Sequence, residues 1–379
     1  MLDDLERLMR ERGIDTVIVP MHEAMHASFR WLSRGAKVTR GYAIKMAGRA
    51  PLLVAYPMER DEALATGLDV RLVHEFCEKP DDYPPLYANM LRELGAGTRI
   101  AFFGNAPVHL YLGIIESLEA QGWRVHRSDE DLIQLARKRK EPWEINAIRS
   151  VGDRTEQVVD GVRALLREAE QGRAMTLGDL KAFVSQEIAR LGMIEDHETI
   201  LSQGRDAGVP HSRGDASAPL RRSVPLVLDI FPADKTSGYF FDLTRTFCIG
   251  PIPDELARIH ADVLEAFTRA RDAVRPGTPA AAYQSLVCDF FESKGYPTAR
   301  SNPKTFEGYV HGLGHGVGLD IHEKPSFSLF QQDFIEEGDV ITIEPGLYFA
   351  DREVGVRIED TFVVRAAGVE SLCRSGYDL

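Results

Sequence analysis

The chain has 379 residues, of which 44% are hydrophobic and 27% charged, and its formal net charge is -13. This composition is typical of a globular protein, and the length exceeds what one hydrophobic core usually fills, so two domains are expected. The negative charge argues against nonspecific binding to nucleic acid or to an anionic membrane, and we expect neither partner.

The opening stretch and the cysteines favour a cytoplasmic protein. MLDDLERLMRERGIDTVIVP is acidic and amphipathic, and it lacks the basic start and apolar core of a secretory signal. No stretch of the sequence has the apolar length that a membrane span needs. The four cysteines follow no C-x-x-C spacing, which fits reduced thiols that only fill space: Cys77, Cys248, Cys288 and Cys373.

The first 130 residues alternate between short β-rich runs and helical stretches, which predicts a small α/β domain. No phosphate loop, nucleophile elbow or ligand cluster occurs there. A basic run then meets Pro142 in LARKRKEPWEI, and the polarity pattern changes at this point. We therefore expect an N-terminal domain at residues 1–137 and a second domain at 138–379. The predicted strands are residues 16–19, 51–55, 70–74, 100–103 and 123–126, and residues 85–94 form a predicted helix.

The second region repeats the order helix, helix, strands. The second helix pair starts about 110 residues after the first, as expected for a structural duplication without obvious sequence identity. The whole chain is thus predicted to be α/β (α+β), with a functional site between the two repeated halves. The helices are predicted near residues 145–162, 177–191, 255–274 and 280–293, and the strands near 225–231, 239–247, 340–344 and 354–364.

Two aspartates lie in apolar β-type runs of this region. VPLVLDIF contains Asp229, and GYFFDLTRTF contains Asp242. An unpaired charge in such a run is costly. Each aspartate on its own is explained by a turn cap or by pairing with Arg245, but two on neighbouring strands favour a metal site.

The stretch HGLGHGVGLDIHE, residues 311–323, places three histidines among alternating glycines. So many glycines are unfavourable inside a helix. In an extended strand His311 and His315 point the same way, and the glycines permit a close approach of backbone or ligand on the other face. Three histidines in thirteen residues indicate a site.

Two glutamates complete the set of candidate ligands. VITIEPGLY contains Glu344, and VGVRIEDTF contains Glu359. Either glutamate alone is explained by an exposed strand face, or for Glu359 by pairing with Arg357. Together with the two aspartates and His315 they would repel one another severely without cations. Two divalent ions would neutralise four carboxylates and activate a shared water, so hydrolysis is expected. The oxygen-rich donor set favours manganese and is compatible with cobalt, zinc or iron.

Residues 140–379 resemble the pita-bread metallopeptidases (family M24), which include aminopeptidase P, prolidase and methionine aminopeptidase. The stretch from His311 to Glu323 resembles the signature of the proline-specific branch, aminopeptidase P and prolidase. The N-terminal region resembles the creatinase-like domain that precedes the catalytic domain in that branch. The resemblance implies a pseudo-twofold pita-bread fold, a homodimer, and proline-containing dipeptides or peptides as substrates.

The resemblance also implies a role for each candidate residue. The metal ligands would be Asp229, Asp242, His315, Glu344 and Glu359, with Asp242 and Glu359 bridging the two ions. Glu344 would also move the proton of the attacking water, and His322 would stabilise the tetrahedral intermediate. The residues near the substrate would be His211 beside the scissile nitrogen, His311 in the proline pocket and Arg357 orienting a ligand aspartate, with Tyr239 bonded to a ligand carboxylate.

Three functions remain open on the sequence. The leading one is a metal-dependent exopeptidase that cleaves between an N-terminal residue and proline. The second is a metal-dependent hydrolase of a small nonpeptide amide, and the third is a binding protein without catalysis. Peptide length and the physiological metal stay undetermined, as does the effect of a segment between Asp229 and Asp242 that looks longer than in relatives.

Overall fold

The structure of the protein, a computed structural model, describes residues 2–79, 81–105, 107–128 and 130–379. Met1, the first residue of the predicted amphipathic opening, lies outside them. The chain divides into two compact units, Met1–Arg137 and Lys138–Leu379.

The N-terminal unit contains one six-stranded sheet with strand order β4-β3-β2-β1-β5-β6. Val17 and Val19 of β1 join one apolar core together with α1, and Ile18 joins a second core together with α4. This alternation is what a strand buried on both faces requires. Its elements are α1 (Leu2–Arg12), β1 (Thr16–His22), α2 (Ala27–Leu32), β2 (Arg40–Met46), β3 (Leu52–Ala55), α3 (Arg60–Leu64), β4 (Asp69–Leu72), α4 (Tyr83–Glu93), β5 (Arg99–Phe102), α5 (Val108–Ala120), β6 (Arg124–Val125) and α6 (Leu132–Ala136).

The C-terminal unit has the predicted order of helix, helix, strands twice over. The first repeat is α7 (Pro142–Glu170), α8 (Leu177–Arg190), β7 (Met193–Ile194), β8 (Ile200–Gln203), β9 (Pro225–Ile230), β10 (Ala233–Asp234) and β11 (Leu243–Cys248). The second is α9 (Asp254–Ala273), α10 (Ala280–Ser293), β12 (His315–Gly316), β13 (Glu323–Ser326), β14 (Val340–Ile343), β15 (Gly346–Phe349), β16 (Val354–Arg357), β17 (Asp360–Arg365) and β18 (Gly368–Ser371).

Two sheets of this unit carry the candidate site. The first is the antiparallel sheet β11-β9-β8, and the second has the order β13-β12-β14-β17-β18. A bridge between Thr244 and Glu359 joins the two sheets. The candidate ligands therefore come from both repeats.

The structure departs from the predicted strands at three points. The run at residues 354–364 is broken into β16 and β17, with Ile358 and Glu359 between them. The strand expected from Tyr239 begins at Leu243, after the short β10. The glycine-rich run contributes only His315 and Gly316 to a ladder, because its glycines fit under neighbouring backbone rather than continuing a regular strand.

Two further features concern the length of the helices and the state of the cysteines. Within the part of the chain that the structure describes, no helix is long and apolar enough to cross a membrane. Cys77, Cys248, Cys288 and Cys373 are free thiols.

Candidate metal centre

Asp229 and Asp242 are brought together by the β9–β11 pairing. Asp229 lies opposite Thr244 in this antiparallel ladder, and Asp242 immediately precedes β11. Both are buried, with exposures of 9% and 4%. Arg357 donates from Nη2 to Asp229 Oδ2 at 2.6 Å. Arg245, the alternative partner considered from the sequence, pairs instead with Asp360 at 2.7 Å.

His315 presents an unprotonated nitrogen to the carboxylates. Its Nδ1 lies 3.1 Å from the Gly316 carbonyl, and because a carbonyl only accepts, Nδ1 carries the proton. Nε2 is then free to act as a ligand. It lies 3.6 Å from Asp242 Oδ2 and 3.4 Å from Glu344 Oε1. Burial, aided by His322, lowers the pKa of His315 to about 3, which keeps the ring neutral.

The glycines beside His315 let strands pack closely. A Cβ on Gly314 would lie 2.2 Å from the Thr342 carbonyl oxygen, and one on Gly316 would lie 2.1 Å from the Lys324 carbonyl oxygen. Any side chain would push β12 away from its neighbours. The close backbone approach predicted from the sequence is therefore present, and it fixes the depth at which the imidazole of His315 sits.

Glu344 and Glu359 reach the same space from the other sheet. Glu344 follows β14, and its backbone N–H donates to the Leu313 carbonyl at 2.8 Å. Glu359 is 1% exposed, and Thr244 Oγ1 donates to its Oε2 at 2.7 Å. The side chain of Glu344 is 19% exposed, so it lies nearer the opening than Glu359. The alternative pairing of Glu359 with Arg357 is replaced by the Arg357–Asp229 contact.

The deepest carboxylates lack partners for one oxygen each. Among the described residues, Asp242 Oδ1 and Glu359 Oε1 are buried and have no hydrogen-bond partner. Ligand atoms of Asp242, His315 and Glu359 all lie within 4.8 Å of one another. Burial, and then repulsion from its carboxylate neighbours, raises the pKa of Asp242 and of Glu359. Buried, unpartnered oxygens that converge on a neutral imidazole fit divalent cations.

A hydrogen-bonded chain connects Asp229 to His311. Arg357 Nη1 donates to Tyr348 Oη at 2.8 Å, and Tyr348 Oη lies 2.9 Å from His311 Nε2. His311 Nδ1 lies 2.7 Å from the Gly312 carbonyl, so Nδ1 carries the proton and Nε2 accepts from Tyr348. Burial, and then the charge of Arg357, lowers the pKa of His311 to about 3.

His322 and His211 lie at the edge of this cluster. The rings of His322 and His315 are edge to face, with centroids 4.3 Å apart. His322 and His211 are both exposed. Burial of the imidazole is the main cause that lowers the pKa of His322, and the nearby His211 adds to it.

Tyr239 has one contact outside the candidate ligands, and two residues near the site were missed. Tyr239 Oη donates to Glu144 Oε1 at 2.5 Å, and Glu144 is not a candidate ligand.

Thr244 contacts Glu359, and Tyr348 contacts Arg357, but the sequence analysis predicts neither residue as part of the site. A hydroxyl residue beside each ligand motif was the available signal, since Tyr348 follows Glu344 by four residues and Thr244 follows Asp242 by two.

A buried set of carboxylates with one imidazole, carried by two helix-helix-strand repeats, is typical of metal-dependent hydrolases. Residues 146–366 match the model of metallopeptidase family M24. Because this match covers more than half of the chain, the chain belongs to that family.

The chain is also similar to curated proteins of this family. It is 35% identical to the Xaa-Pro dipeptidase of Pyrococcus furiosus over 183 residues, which are 48% of this chain and 49% of that protein. The chain thus spans about half the length of that relative in the alignment. It is 26% identical over 377 residues to the Xaa-Pro dipeptidase of Pyrococcus horikoshii, covering 98% of this chain and 96% of that protein.

Solved structures share the fold along the whole chain. The Xaa-Pro dipeptidase from Bacillus anthracis has a TM-score of 0.82 at 22% identity, with 100% of this chain and 99% of that chain covered. The X-Pro aminopeptidase from Thermotoga maritima has a TM-score of 0.79 at 24% identity, with coverages of 100% and 99%. The two-domain α/β architecture with a C-terminal pita-bread domain is therefore confirmed.

Proposed function

We propose that this protein is a metal-dependent exopeptidase that hydrolyses the bond between an N-terminal residue and proline. Relatives named as Xaa-Pro dipeptidases support the substrate class. The single observation that carries the proposal is the convergence of the unpartnered oxygens of Asp242 and Glu359 on His315. A binding protein that had lost catalysis would not need to retain this costly set of charges.

The candidate ligands would hold two divalent ions: Asp229, Asp242, His315, Glu344 and Glu359. Asp242 and Glu359, the most deeply buried carboxylates, would bridge the ions. When bound, such a pair supplies a Lewis acid and a water of lowered pKa. Manganese is the proposed metal because oxygen donors dominate, and cobalt, zinc or iron would also bind.

Two side chains of the cluster edge would handle protons and developing charge. Glu344 combines partial exposure with its place beside His315, so its carboxylate would take the proton of the attacking water and pass it to the leaving nitrogen. His322 lies beside His315 and faces solvent, so its imidazole would donate a hydrogen bond to the tetrahedral oxygen.

Three further residues would bind or orient the substrate. His311 is held in one tautomer by Tyr348 and the Gly312 carbonyl, so it would present a rigid ring face to proline. His211 would contact the substrate near the scissile nitrogen. Arg357 would fix Asp229 in its ligating position through their 2.6 Å contact.

By the same family resemblance, we propose that the chain forms a homodimer, and its scattered cysteines support a location in the cytoplasm. Sedimentation of the purified protein tests the oligomeric state. A mass that matches one chain of 42.3 kDa would contradict it.

A substrate series tests the proposed reaction. Xaa-Pro dipeptides, longer Xaa-Pro peptides, matched Xaa-Ala peptides and small nonpeptide amides are assayed with manganese, cobalt, zinc or iron after chelation. We expect turnover only of peptides with proline in the second position and only with metal. Turnover of the nonpeptide amides alone would support the small-amide hydrolase, and metal binding without any turnover would support the binding protein.

A further inference from the structure

A fully buried ion pair lies close behind the candidate centre. Lys140 Nζ donates to Glu323 Oε2 at 2.9 Å, and both side chains are 1% exposed. Lys140 Nζ also donates to the Lys138 carbonyl at 2.9 Å. A pair this deeply buried gains little net stability, because desolvation offsets the attraction. The pair therefore affects the position of neighbouring residues more than the stability of the fold.

Glu323 shapes the turn that carries His322. It follows His322 directly and begins β13, where it pairs with Gly316. Its Oε1 accepts from the backbone N–H of Asp320 at 3.0 Å, which closes the turn over residues 320–323. A Cβ on Gly318 would lie 2.6 Å from Glu323 Oε2. The glycine at 318 thus leaves the space that the carboxylate fills.

Lys140, which contacts this turn through Glu323, is itself held in place by a backbone hydrogen bond. Its backbone N–H donates to the Gly338 carbonyl at 2.8 Å, and α7 begins two residues later. At the start of α7, Glu144 accepts from Tyr239, whose neighbour Phe240 donates its backbone N–H to the Gly318 carbonyl at 2.8 Å. Lys140 and the first turn of α7 therefore hold both ends of the segment from Gly318 to Glu323, which contains His322.

We propose that the Lys140–Glu323 pair positions His322 against His315 for the reaction. The exposed ring of His322 depends on its backbone for its place, and that backbone is fixed by Glu323 on one side and Gly318 on the other. Lys140 and Glu323 are positioning residues, since both are buried beneath the turn and act through His322. The inference rests on the proposed function.

The test uses six variants of the full chain, one of which is His322→Ala. Lys140→Met and Glu323→Gln each break the pair, and their combination removes both buried charges. Lys138→Met is the matched control, because Lys138 is also buried on the same segment but pairs with Asp339 at 3.4 Å. Each protein is assayed for kcat, KM, bound metal and thermal unfolding. Glu323→Gln is also combined with His322→Ala.

We expect Lys140→Met and Glu323→Gln to lower kcat about tenfold or more at unchanged metal content, as loss of a group that orients a reacting side chain does. The double variant should recover thermal stability relative to either single variant while kcat stays low. In the His322→Ala background, Glu323→Gln should lower kcat no further. Lys138→Met should keep the native kcat.

Two results would overturn the inference. One is a Glu323→Gln effect on kcat that is equally large with and without His322. The other is a crystal structure of the double variant in which the rings of His315 and His322 keep their 4.3 Å separation. The crystal structure decides the positioning role even if the native chain turns over no Xaa-Pro peptide, so failure of this inference and failure of the proposed function remain distinguishable.

Discussion

The carboxylates of Asp242 and Glu359 are in conflict with their surroundings unless cations reach them. Each has one buried oxygen without a hydrogen bond to any residue that the structure describes, and the guanidinium of Arg357 is engaged with Asp229. At the scale of single residues, the carboxylates of Asp242 and Glu359 repel each other in the folded protein, and bound cations would relieve this repulsion. Removing one of these charges should therefore weaken metal binding and at the same time stabilise the metal-free protein.

Glu359→Gln should lose metal binding yet stabilise the metal-free protein by about 1–2 kcal/mol, because one charge of a repelling buried pair is removed. Thr244 can still donate to the amide oxygen. Urea unfolding with and without manganese measures both effects. A variant that gains as much stability from manganese as the native chain would show that Glu359 is not a ligand.

His322→Ala should behave differently, because His322 is proposed to contact the reacting carbonyl rather than the metal. We expect native metal content and a kcat lowered by roughly 10²-fold. Metal analysis alongside steady-state kinetics of an Xaa-Pro peptide tests this. Loss of metal in step with activity would instead make His322 part of the ligand set.

At the scale of elements, the two-residue strand β12 is held by contacts that only glycine permits. Gly314 and Gly316 lie under the carbonyls of Thr342 and Lys324, so β12 packs between β13 and β14 without side chains between them. The chain can then place His315 beside Glu344 of the neighbouring strand end. The absence of a Cβ atom on Gly314 and Gly316 therefore determines where the imidazole of His315 lies.

Gly314→Ala should destabilise the protein by roughly 2–4 kcal/mol and weaken metal binding, since its Cβ would meet the Thr342 carbonyl oxygen at 2.2 Å. Gly312→Ala is the matched control, because its Cβ would lie 3.3 Å from the nearest oxygen. Urea unfolding and manganese titration compare the two. Equal losses in both variants would contradict the argument from close approach.

The turn before β14 should make stability depend on pH. Asp339 is fully buried, and burial raises its pKa from 3.8 to about 6 although Lys138 lies nearby. The folded state therefore binds more protons than the unfolded state between these values, and native stability falls as the pH rises through this window. Above about pH 6 the contribution is gone.

Asp339→Asn should remove this dependence. Relative to the native chain, its free energy of unfolding should rise by up to roughly 3 kcal/mol from pH 4 to pH 7. Glu337→Gln, an exposed neighbour, should leave the native pH profile unchanged. Parallel profiles of the native chain and Asp339→Asn would refute the prediction.

At the scale of the whole molecule, the sequence predicts most reliably what depends on local pattern. The helix predicted at residues 280–293 matches α10, and that at 255–274 is shifted by one residue from α9, because both carry a strong apolar periodicity. Residues 354–364 are predicted as one strand, because apolar residues occur on both sides of Glu359. The structure instead has two strands, β16 and β17, with a break at Ile358 and Glu359. β2 lacked a distinctive pattern and was not predicted.

Local sequence patterns do not predict contacts between residues that are distant in sequence. Arg357 pairs with Asp229, 128 residues away, and Arg245 with Asp360, 115 residues away. Charges adjacent in sequence had suggested other partners for both arginines. The candidate ligands could be chosen because their residue types share one chemistry, whereas the contacts of Thr244 and Tyr348 depend on how the two repeats pack.

Anomalous diffraction from manganese-loaded crystals shows whether metal ions bind between these carboxylates. We expect two peaks about 3.5–4 Å apart, both reached by carboxylate oxygens of Asp242 and Glu359, with His315 Nε2 on one of them. A loaded crystal without anomalous density between these side chains, or with the ions bound elsewhere, would contradict this prediction.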